Sequence, residues 1–174
     1  MNSNHKIWII KGMVVFFIVI VAVLSVVSLA LTDDRAKLIG IWKLVSFDAE
    51  LQDTGELNPI LGNNPKGYLI YTPEGRTMTV FTGEGRKAPK TDEERAAAWS
   101  SMYAYSGLYR IEGDKVIVKI DVSWNEAWTV SEQVRFLKLE GDRLKIISAW
   151  IPSTNPRFHL GRMVRAILTW ERVK

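Results

Sequence analysis

An apolar–polar alternation over residues 115–124 constrains the fold more than any other feature of the sequence. Such a period of two is typical of a strand in a sheet with one buried face. Seven further segments of this kind follow one another after residue 38, and the set predicts an all-β domain. We name the eight predicted strands A to H, and they cover residues 39–50, 67–72, 76–82, 105–112, 115–124, 132–140, 143–151 and 162–172.

A short internal repeat fixes how two pairs of these strands meet. Ile111-Glu-Gly-Asp-Lys-Val116 recurs as Leu139-Glu-Gly-Asp-Arg-Leu144, and each copy predicts a hairpin with a two-residue Gly-Asp loop. The strand partners then follow by counting outward from each loop. The predicted pairs are Ile111–Val116, Glu112–Lys115, Tyr109–Val118, Gly107–Ile120 and Tyr105–Val122 in the first hairpin, and Leu139–Leu144, Leu137–Ile146, Arg135–Ser148 and Gln133–Trp150 in the second.

The connections between the predicted strands alternate between short and long. B–C, D–E and F–G are tight turns, whereas A–B, C–D, E–F and G–H are longer. In an up-and-down antiparallel sheet the short connections share one end, so eight strands predict a barrel with a closed end and an open mouth. The C–D connection contains the one convincing helix, with a capping box at Thr91–Glu94 followed by residues 96–102. We place Trp99, Met102 and Tyr103 on it and expect the helix to pack against the barrel wall rather than to act as a lid.

Composition excludes several classes of function. The chain has 174 residues and no cysteine, so disulfides, a thiolate nucleophile and cysteine-ligated zinc are excluded. The net charge is +4, and about +2 without Lys6 and Lys11, with no basic stripe for nucleic acid. The two histidines lie far apart in the sequence, and His159 is expected to be a solvated loop residue rather than a ligand of haem or metal. We therefore expect no metal and no cofactor.

The N-terminal region predicts a membrane segment. Residues 12–31 carry no charge and, as a helix, span about 30 Å, the thickness of the bilayer core. We divide the chain into a cytoplasmic stub (1–11), a transmembrane anchor (12–31), a linker (32–37) and the barrel domain (38–174). Because lysines precede the anchor and aspartates follow it, we expect the barrel outside the cytoplasm. The alternative is a signal peptide cleaved after Ser28-Leu29-Ala30, which leaves a secreted or periplasmic domain.

Several ordered segments resemble one family. The Gly40-Ile41-Trp42 sequence matches the G-x-W signature of lipocalins. The segments LIGIWKLVSF, KGYLIYTPEGRTM, YSGLYRIEGD, VSWNEAW, FLKLEGDRL and GRMVRAILTWER look like the bacterial lipocalin-like domain family. The resemblance implies that Trp42 plugs the closed end and that a basic residue of the last strand, Arg172, packs over its indole. The helix between C and D departs from the common lipocalin layout.

Strand parity gives a set of candidate ligand-binding residues. If strand E stays regular, its inward side continues to Glu126 and Trp128 near the mouth, beside residues from D, F, G and H. The predicted pocket has a polar and aromatic upper ring over an apolar floor, and it suits a small apolar or amphipathic ligand. Its residues are Tyr105, Tyr109, Val118, Ile120, Val122, Trp124, Glu126, Gln133, Arg135, Ser148, Trp150 and Arg162.

Three functions remain open at this point. The first is a membrane-tethered barrel that binds a small, largely apolar molecule. The second is an isomerase, cyclase or hydratase in which Glu126 is the acid or base and Arg135 or Tyr105 stabilises an anion. The third is a structural or interaction module with a filled barrel. We expect a Glu126–Arg135 ion pair more than a direct ligand role for either residue. The oligomeric state stays open.

Overall fold

The computed structural model describes residues 35–154 and 161–174. Two compact units divide the chain, Met1–Leu38 and Ile39–Lys174, and the second contains every strand described below. The predicted stub and anchor and the first half of the predicted linker lie outside the described residues, as does His159. Across the described ranges no helix has both the length and the apolar character that crossing a membrane requires.

The strands lie close to their predicted positions. Strand D begins three residues earlier than predicted, and strand G ends four residues earlier. Two very short strands were not predicted. The elements are β1 (Gly40–Leu51), β2 (Leu57–Pro59), β3 (Lys66–Tyr71), β4 (Arg76–Thr82), helix α1 (Asp92–Ser100), β5 (Met102–Glu112), β6 (Lys115–Ser123), a 3-10 helix (Glu126–Trp128), β7 (Glu132–Glu140), β8 (Arg143–Ile147), β9 (Ile151–Pro152) and β10 (Met163–Arg172).

Eight of these strands form a closed antiparallel barrel in the order β1-β3-β4-β5-β6-β7-β8-β10. Pairing of β1 with β10, from Trp42–Arg172 to Leu51–Val164, closes the cylinder. The short β2 and β9 add to β1 and β10 at the end where the long connections lie. The predicted eight-stranded up-and-down barrel is therefore confirmed. Closure joins the first and last strands of the sheet, so neither of them is left as a free edge.

The closed end is built around Trp42. Its side chain is 0 % exposed, and the Arg172 guanidinium carbon lies 4.1 Å from the centre of its ring. Arg172 also donates from Nη1 to the Ile39 carbonyl at 2.9 Å. A Cβ on Gly40, whose φ is +134°, would come within 2.9 Å of Arg172 Nη1. The structure thus places Gly40, Trp42 and Arg172 in the arrangement that the resemblance implies.

The hairpin registers are confirmed near the turns and wrong further away. In the first hairpin the pairs from Glu112–Lys115 to Gly107–Ile120 form as predicted, but Tyr105 pairs with Ser123 and Ser106 with Val122. A β-bulge at this point leaves Asp121 as an extra residue, held by the Ser106 hydroxyl and the Arg76 guanidinium. The bulge moves Val122 to the outer surface, where it is 65 % exposed.

The second hairpin forms its predicted pairs Leu139–Leu144 and Leu137–Ile146, but its ladder ends at Phe136–Ile147. The predicted pairs Arg135–Ser148 and Gln133–Trp150 are therefore wrong. After Ile147 the chain leaves β7, and the Ser148 amide donates to the Ala166 carbonyl of β10 at 2.9 Å.

Helix α1 has the predicted start and an earlier end. Thr91 and Glu94 form both hydrogen bonds of the capping box. The helix ends at Ser100, so Met102 and Tyr103 lie on β5 and their predicted helical placement is wrong. No residue of α1 is buried. Its main contact with the barrel is Trp99, whose ring centre lies 6.1 Å from that of Trp124.

Candidate functional site

A cavity of about 390 Å³ opens at the end of the barrel where the long connections lie. Its wall is mainly apolar and comes from β1, β3, β4, β5, β7, β8, β9 and β10, together with residues of the connections near the mouth. Alternate residues of β10 face it, as the parity of a strand requires. The volume is in the range of sites that bind small molecules. The apolar and aromatic part of the lining is Phe47, Ala49, Ile60, Leu69, Phe81, Tyr103, Trp128, Ile146, Ile151, Pro152, Val164, Ala166, Leu168 and Trp170.

Aromatic rings in contact with one another form one side of the cavity. Tyr103 stacks on Phe81 with ring centres 5.0 Å apart, and Phe47 meets both rings edge-on at 5.4 and 5.6 Å. Trp170 lies 5.8 Å from Phe81, and Trp128 lies 6.2 Å from Tyr103. Aromatic pairs in these geometries are more favourable than their buried area alone implies. The result is a continuous aromatic side of the cavity.

Two arginines, Arg135 and Arg165, line the cavity, and Arg165 forms an ion pair with Glu50. Arg135 projects from β7, where it pairs with Val116 of β6. Its guanidinium donates to the Gln133 side-chain oxygen at 2.7 Å and to the Val134 carbonyl at 2.8 Å. Burial lowers the pKa of Arg135 from its usual value, which still leaves the group positively charged at neutral pH. In the described part of the chain no carboxylate pairs with it.

Tyr105 lies on the cavity wall near Arg135. Burial raises the pKa of its hydroxyl, and the positive charge of Arg135 opposes that rise only in part. The hydroxyl therefore stays protonated at neutral pH and can donate a hydrogen bond. Among the described residues none accepts or donates a hydrogen bond at this hydroxyl. Arg135 and Tyr105 together present positive charge and hydrogen-bond donors to an otherwise apolar space.

The predicted inward position of Glu126 is wrong. Strand β6 ends at Ser123, and Glu126 begins the 3-10 helix that follows. Its side chain is exposed, it does not line the cavity, and within the described residues it forms no ion pair with Arg135. The helix turns Trp128 toward the cavity instead. Asn125 caps this turn through a hydrogen bond from the Ala127 amide at 3.2 Å, so the strand parity cannot continue to Glu126.

Other polar candidates are engaged with neighbouring residues. Ser148 lines the cavity, but its hydroxyl donates to the Ala149 carbonyl and accepts from the Ala166 amide. Gln133 does not line the cavity and instead holds Arg135 in place. Arg162 bonds to Asp53 of the first long connection, with Nε 3.0 Å from the carboxylate. Trp150 is covered by Arg165, whose guanidinium carbon lies 4.4 Å from its ring.

The cavity floor differs from the prediction. Tyr109, Val118 and Ile120 are buried in the barrel, as strand parity requires, but they do not line the cavity. The Tyr109 hydroxyl donates to the Thr72 carbonyl at 3.0 Å, close to the closed end. Trp124 is also outside the lining and packs against Trp128 with ring centres 4.9 Å apart. Of the predicted ligand-binding residues, the structure brings Tyr105, Arg135 and Ser148 to the cavity.

Sequence reasoning missed most of the lining on β1, β4 and β10. Phe47 and Ala49 alternate along β1, and Thr79 and Phe81 alternate along β4. These alternations indicate inward faces, but the predicted lining was confined to strands D to H and did not include β1 or β4. The residues around Ile151–Thr154 also line the mouth, and no pattern in the sequence indicates this.

Contacts between the long connections hold the mouth together. Glu84 of the second long connection accepts a hydrogen bond from the Asn64 side chain of the first at 2.8 Å. This bond, together with those from the Asn63 and Asn64 amides, lowers the pKa of Glu84. Trp99 contacts Trp124, and the Arg162–Asp53 pair links the last connection to the first. The hydrogen bond from Arg162 lowers the pKa of Asp53. These three contacts join the four long connections in a series.

A family model supplies the family of this domain. Residues 39–173 match the family model of the lipocalin-like domain. No curated protein matches the chain. The chain is similar to an uncharacterized protein from Bacteroides eggerthii DSM 20697 of known crystal structure, with 12 % identity, coverage of 77 % of this chain and 98 % of that chain, and a TM-score of 0.40. Because the family match spans the whole barrel and most of the sequence, the chain belongs to the lipocalin-like domain family.

Proposed function

We propose that the barrel binds one small amphipathic molecule, with its apolar body against the aromatic wall and an anionic group at Arg135. The lipocalin-like fold supports a ligand-binding barrel. The observation that carries the finer proposal is the charge of Arg135, which lies in the cavity wall without a carboxylate partner among the described residues. A carboxylate, sulfonate or phosphate on the ligand fits this position.

Electrostatics favours an anion over a neutral polar group. Burying a cation without an opposite charge is costly, and a ligand anion would offset that cost within a space of low dielectric constant. Gln133 already occupies one side of the guanidinium, so the group is held in position before any ligand arrives. The Tyr105 hydroxyl adds a neutral donor beside it, and hydrogen bonds to a charged group are stronger than neutral ones.

The alternative of an acid–base enzyme required Glu126 as the acid or base in the cavity. Glu126 lies outside the cavity, so this alternative is without its predicted catalytic group. The described lining contains tyrosine, serine, threonine and arginine as polar residues. These groups suit recognition of an anion, and no observation favours turnover. Tethering by residues 12–31, with the barrel outside the cytoplasm, remains part of the proposal and rests on the uncharged length of that segment.

Replacing Arg135 tests the proposal. For the full chain in detergent, we expect Arg135→Gln to weaken lauric acid binding about 10- to 100-fold, the worth of a hydrogen bond to a charged group. Dodecanol, which has the same chain and no charge, should bind both proteins alike. Isothermal titration or displacement of a fluorescent probe gives both affinities. Arg110→Gln is the matched control, because Arg110 pairs with Glu132 on the outer surface.

If Arg135→Gln weakens the binding of lauric acid and of dodecanol by the same factor, the variant damages the cavity as a whole. That result would count against a role of Arg135 that is specific to anions. Unchanged lauric acid binding would contradict the proposal outright. A structural module with a filled barrel would bind neither compound.

Alkaline pH gives an independent check on the environment of Tyr105. Burial raises the pKa of Tyr71, Tyr103 and Tyr105 in the folded barrel, whereas the unfolded chain titrates near pH ~10. The free energy of unfolding is therefore unaffected by these tyrosines below pH ~10. It falls as the pH rises further, because the unfolded chain loses the tyrosine protons more readily than the folded barrel does. Tyr105→Phe should therefore flatten the fall in unfolding free energy between about pH 9 and about pH 11, measured by urea unfolding. An unchanged slope would show that Tyr105 ionises freely.

A further inference from the structure

The barrel wall is interrupted between β7 and β8. Pairing of these two strands ends at Phe136–Ile147, so the segment Glu132–Arg135 of β7 has no partner strand on that side among the described residues. Beyond this point the chain follows β10 instead, to which the next backbone hydrogen bond and the whole of β9 are joined. We call the space between Glu132–Arg135 and Ser148–Pro152 the side cleft.

The unpaired edge of β7 points its backbone groups into the side cleft. Along an antiparallel strand, alternate residues direct their N–H and C=O groups to opposite neighbours. The Leu137 amide donates to the Asp114 carbonyl, next to the start of β6. Val134, at an odd spacing from Leu137, therefore faces the β8 side. Within the described residues its amide has no acceptor, and its carbonyl accepts a hydrogen bond from Arg135 Nη1 at 2.8 Å.

This hydrogen bond places the Arg135 guanidinium in the side cleft. Because the Val134 carbonyl points toward β8, a group bonded to its oxygen lies at the edge of β7 rather than over the centre of the cavity. Arg135 also lines the cavity, and Ser148 lines it from the other side of the cleft. The cavity and the side cleft therefore meet at the guanidinium.

We propose that the ligand is a single-tailed amphiphile whose anionic group links the tail to a further polar head. The tail lies against the aromatic rings, the anion bonds to Arg135, and the head leaves through the side cleft into solvent. The inference rests on the proposed function and deepens it, because it specifies what lies beyond the anion. A phosphodiester has such an internal anion, whereas the carboxylate of a fatty acid is terminal.

The donors around the guanidinium suit an anion that has a substituent on each side. The Gln133 side-chain oxygen and the Val134 carbonyl occupy one N–H group each, and the other N–H groups of the Arg135 fork are left for a ligand. The Tyr105 hydroxyl lies on the cavity side of this position, and the Val134 amide lies on the cleft side. Hydrogen bonds from both sides to one charged group are strong.

Solvation explains why only the tail is enclosed. The cavity, at about 390 Å³, is at the small end of ligand sites and mainly apolar, so it suits one tail. A polar head buried there would lose its hydrogen bonds to water. Within the described residues no hydrogen bond or ion pair crosses the side cleft, and Val134 at its edge is 42 % exposed. The long connections at the mouth, by contrast, are joined by bonds such as Asn64–Glu84.

The size of the head group tests the inference. For the full chain in a steroid detergent, which has no alkyl tail to compete, the ligands are dodecyl methyl, dodecyl glyceryl and dodecyl inositol phosphate. These compounds share one tail and one charge and differ only beyond the phosphate. We expect dissociation constants within about threefold of one another, because the added groups stay in water. Arg135→Gln should weaken all of them about 10- to 100-fold, measured by displacement of a fluorescent probe.

The path of the head is tested with a quencher. Because the chain has no cysteine, a dye can be attached to Ala149→Cys beside the side cleft, to Lys87→Cys in the second long connection, or to Met78→Cys. All three positions are exposed, and Met78 is the control because β4 lies opposite β7 and β8 in the strand order. With a nitroxide on the head of the dodecyl phosphodiester, we expect severalfold stronger quenching at Ala149→Cys than at Lys87→Cys, and background quenching at Met78→Cys.

Two results would show that the head does not use the side cleft. A fall in affinity of about tenfold or more from the methyl to the inositol compound means that the head is enclosed, and it overturns the inference. Strongest quenching at Lys87→Cys overturns it as well, since the head then leaves through the mouth.

Binding of lauric acid without binding of dodecyl methyl phosphate also overturns the inference, because the anion is then terminal. In each of these cases the proposed function stands as long as Arg135→Gln weakens lauric acid binding. The proposed function fails separately, when that variant leaves lauric acid affinity unchanged.

Discussion

Trp42→Ala is expected to destabilise the barrel by about 3–5 kcal/mol, the usual loss when a large buried aromatic side chain is truncated. Trp42 is 0 % exposed, and its removal leaves a void beneath the Arg172 guanidinium, which lies 4.1 Å from the ring centre. The cation–π contact disappears with the ring. Since small domains have a net stability of about 5–15 kcal/mol, the loss is a large fraction of the total.

Urea unfolding followed by circular dichroism measures this effect as a lower midpoint at a similar slope. Trp99→Ala is the matched control, because Trp99 is half exposed on α1 and lies outside the barrel interior. Truncation of Trp99 should lower the free energy of unfolding much less than truncation of Trp42. Similar midpoints for the two variants would contradict the assignment of Trp42 as the plug of the closed end.

Gly107→Ala is expected to cost at least the upper end of the range of about 1–3 kcal/mol that overpacking typically costs. A Cβ at Gly107 would lie 2.3 Å from the Lys119 carbonyl oxygen and 3.0 Å from the Ile120 Cα. These obstacles are backbone atoms of the paired strand, so a side-chain rotation cannot relieve the contact. Relief requires β5 and β6 to separate beside the bulge, which weakens the hydrogen bonds of their ladder.

Gly83→Ala is a matched control for this prediction. A Cβ there would find its nearest neighbour, the Leu61 carbonyl oxygen, at 3.4 Å, an ordinary contact distance. We expect its unfolding midpoint to stay near that of the parent protein, whereas the midpoint of Gly107→Ala falls clearly. An equal fall in both variants would indicate a general cost of losing glycine and would refute the role of close strand approach.

The prediction of strand partners from the sequence becomes wrong at the bulge beside Gly107. Counting outward from the Gly113-Asp114 turn gave the correct partners as far as Ile120, since an uninterrupted ladder advances one residue on each strand. The inserted Asp121 breaks that rule, and its position depends on Arg76 of β4, a strand distant in sequence. The error then carried forward to Val122 and to the expected inward position of Glu126.

The strands and the tight turns of this protein were determined by the sequence itself, because alternation and Gly-Asp turns act over a few residues. The packing of Arg172 over Trp42 was expected only from the resemblance that the Gly40-Ile41-Trp42 signature carries. The cavity was decided only by the tertiary structure. Phe47, Phe81 and Tyr103 come from three strands and meet because the barrel closes. Arg135 was already a candidate from the sequence, where an ion pair with Glu126 was expected. Only the folded barrel shows that no described carboxylate reaches it, because this charge balance depends on which distant strands are brought together.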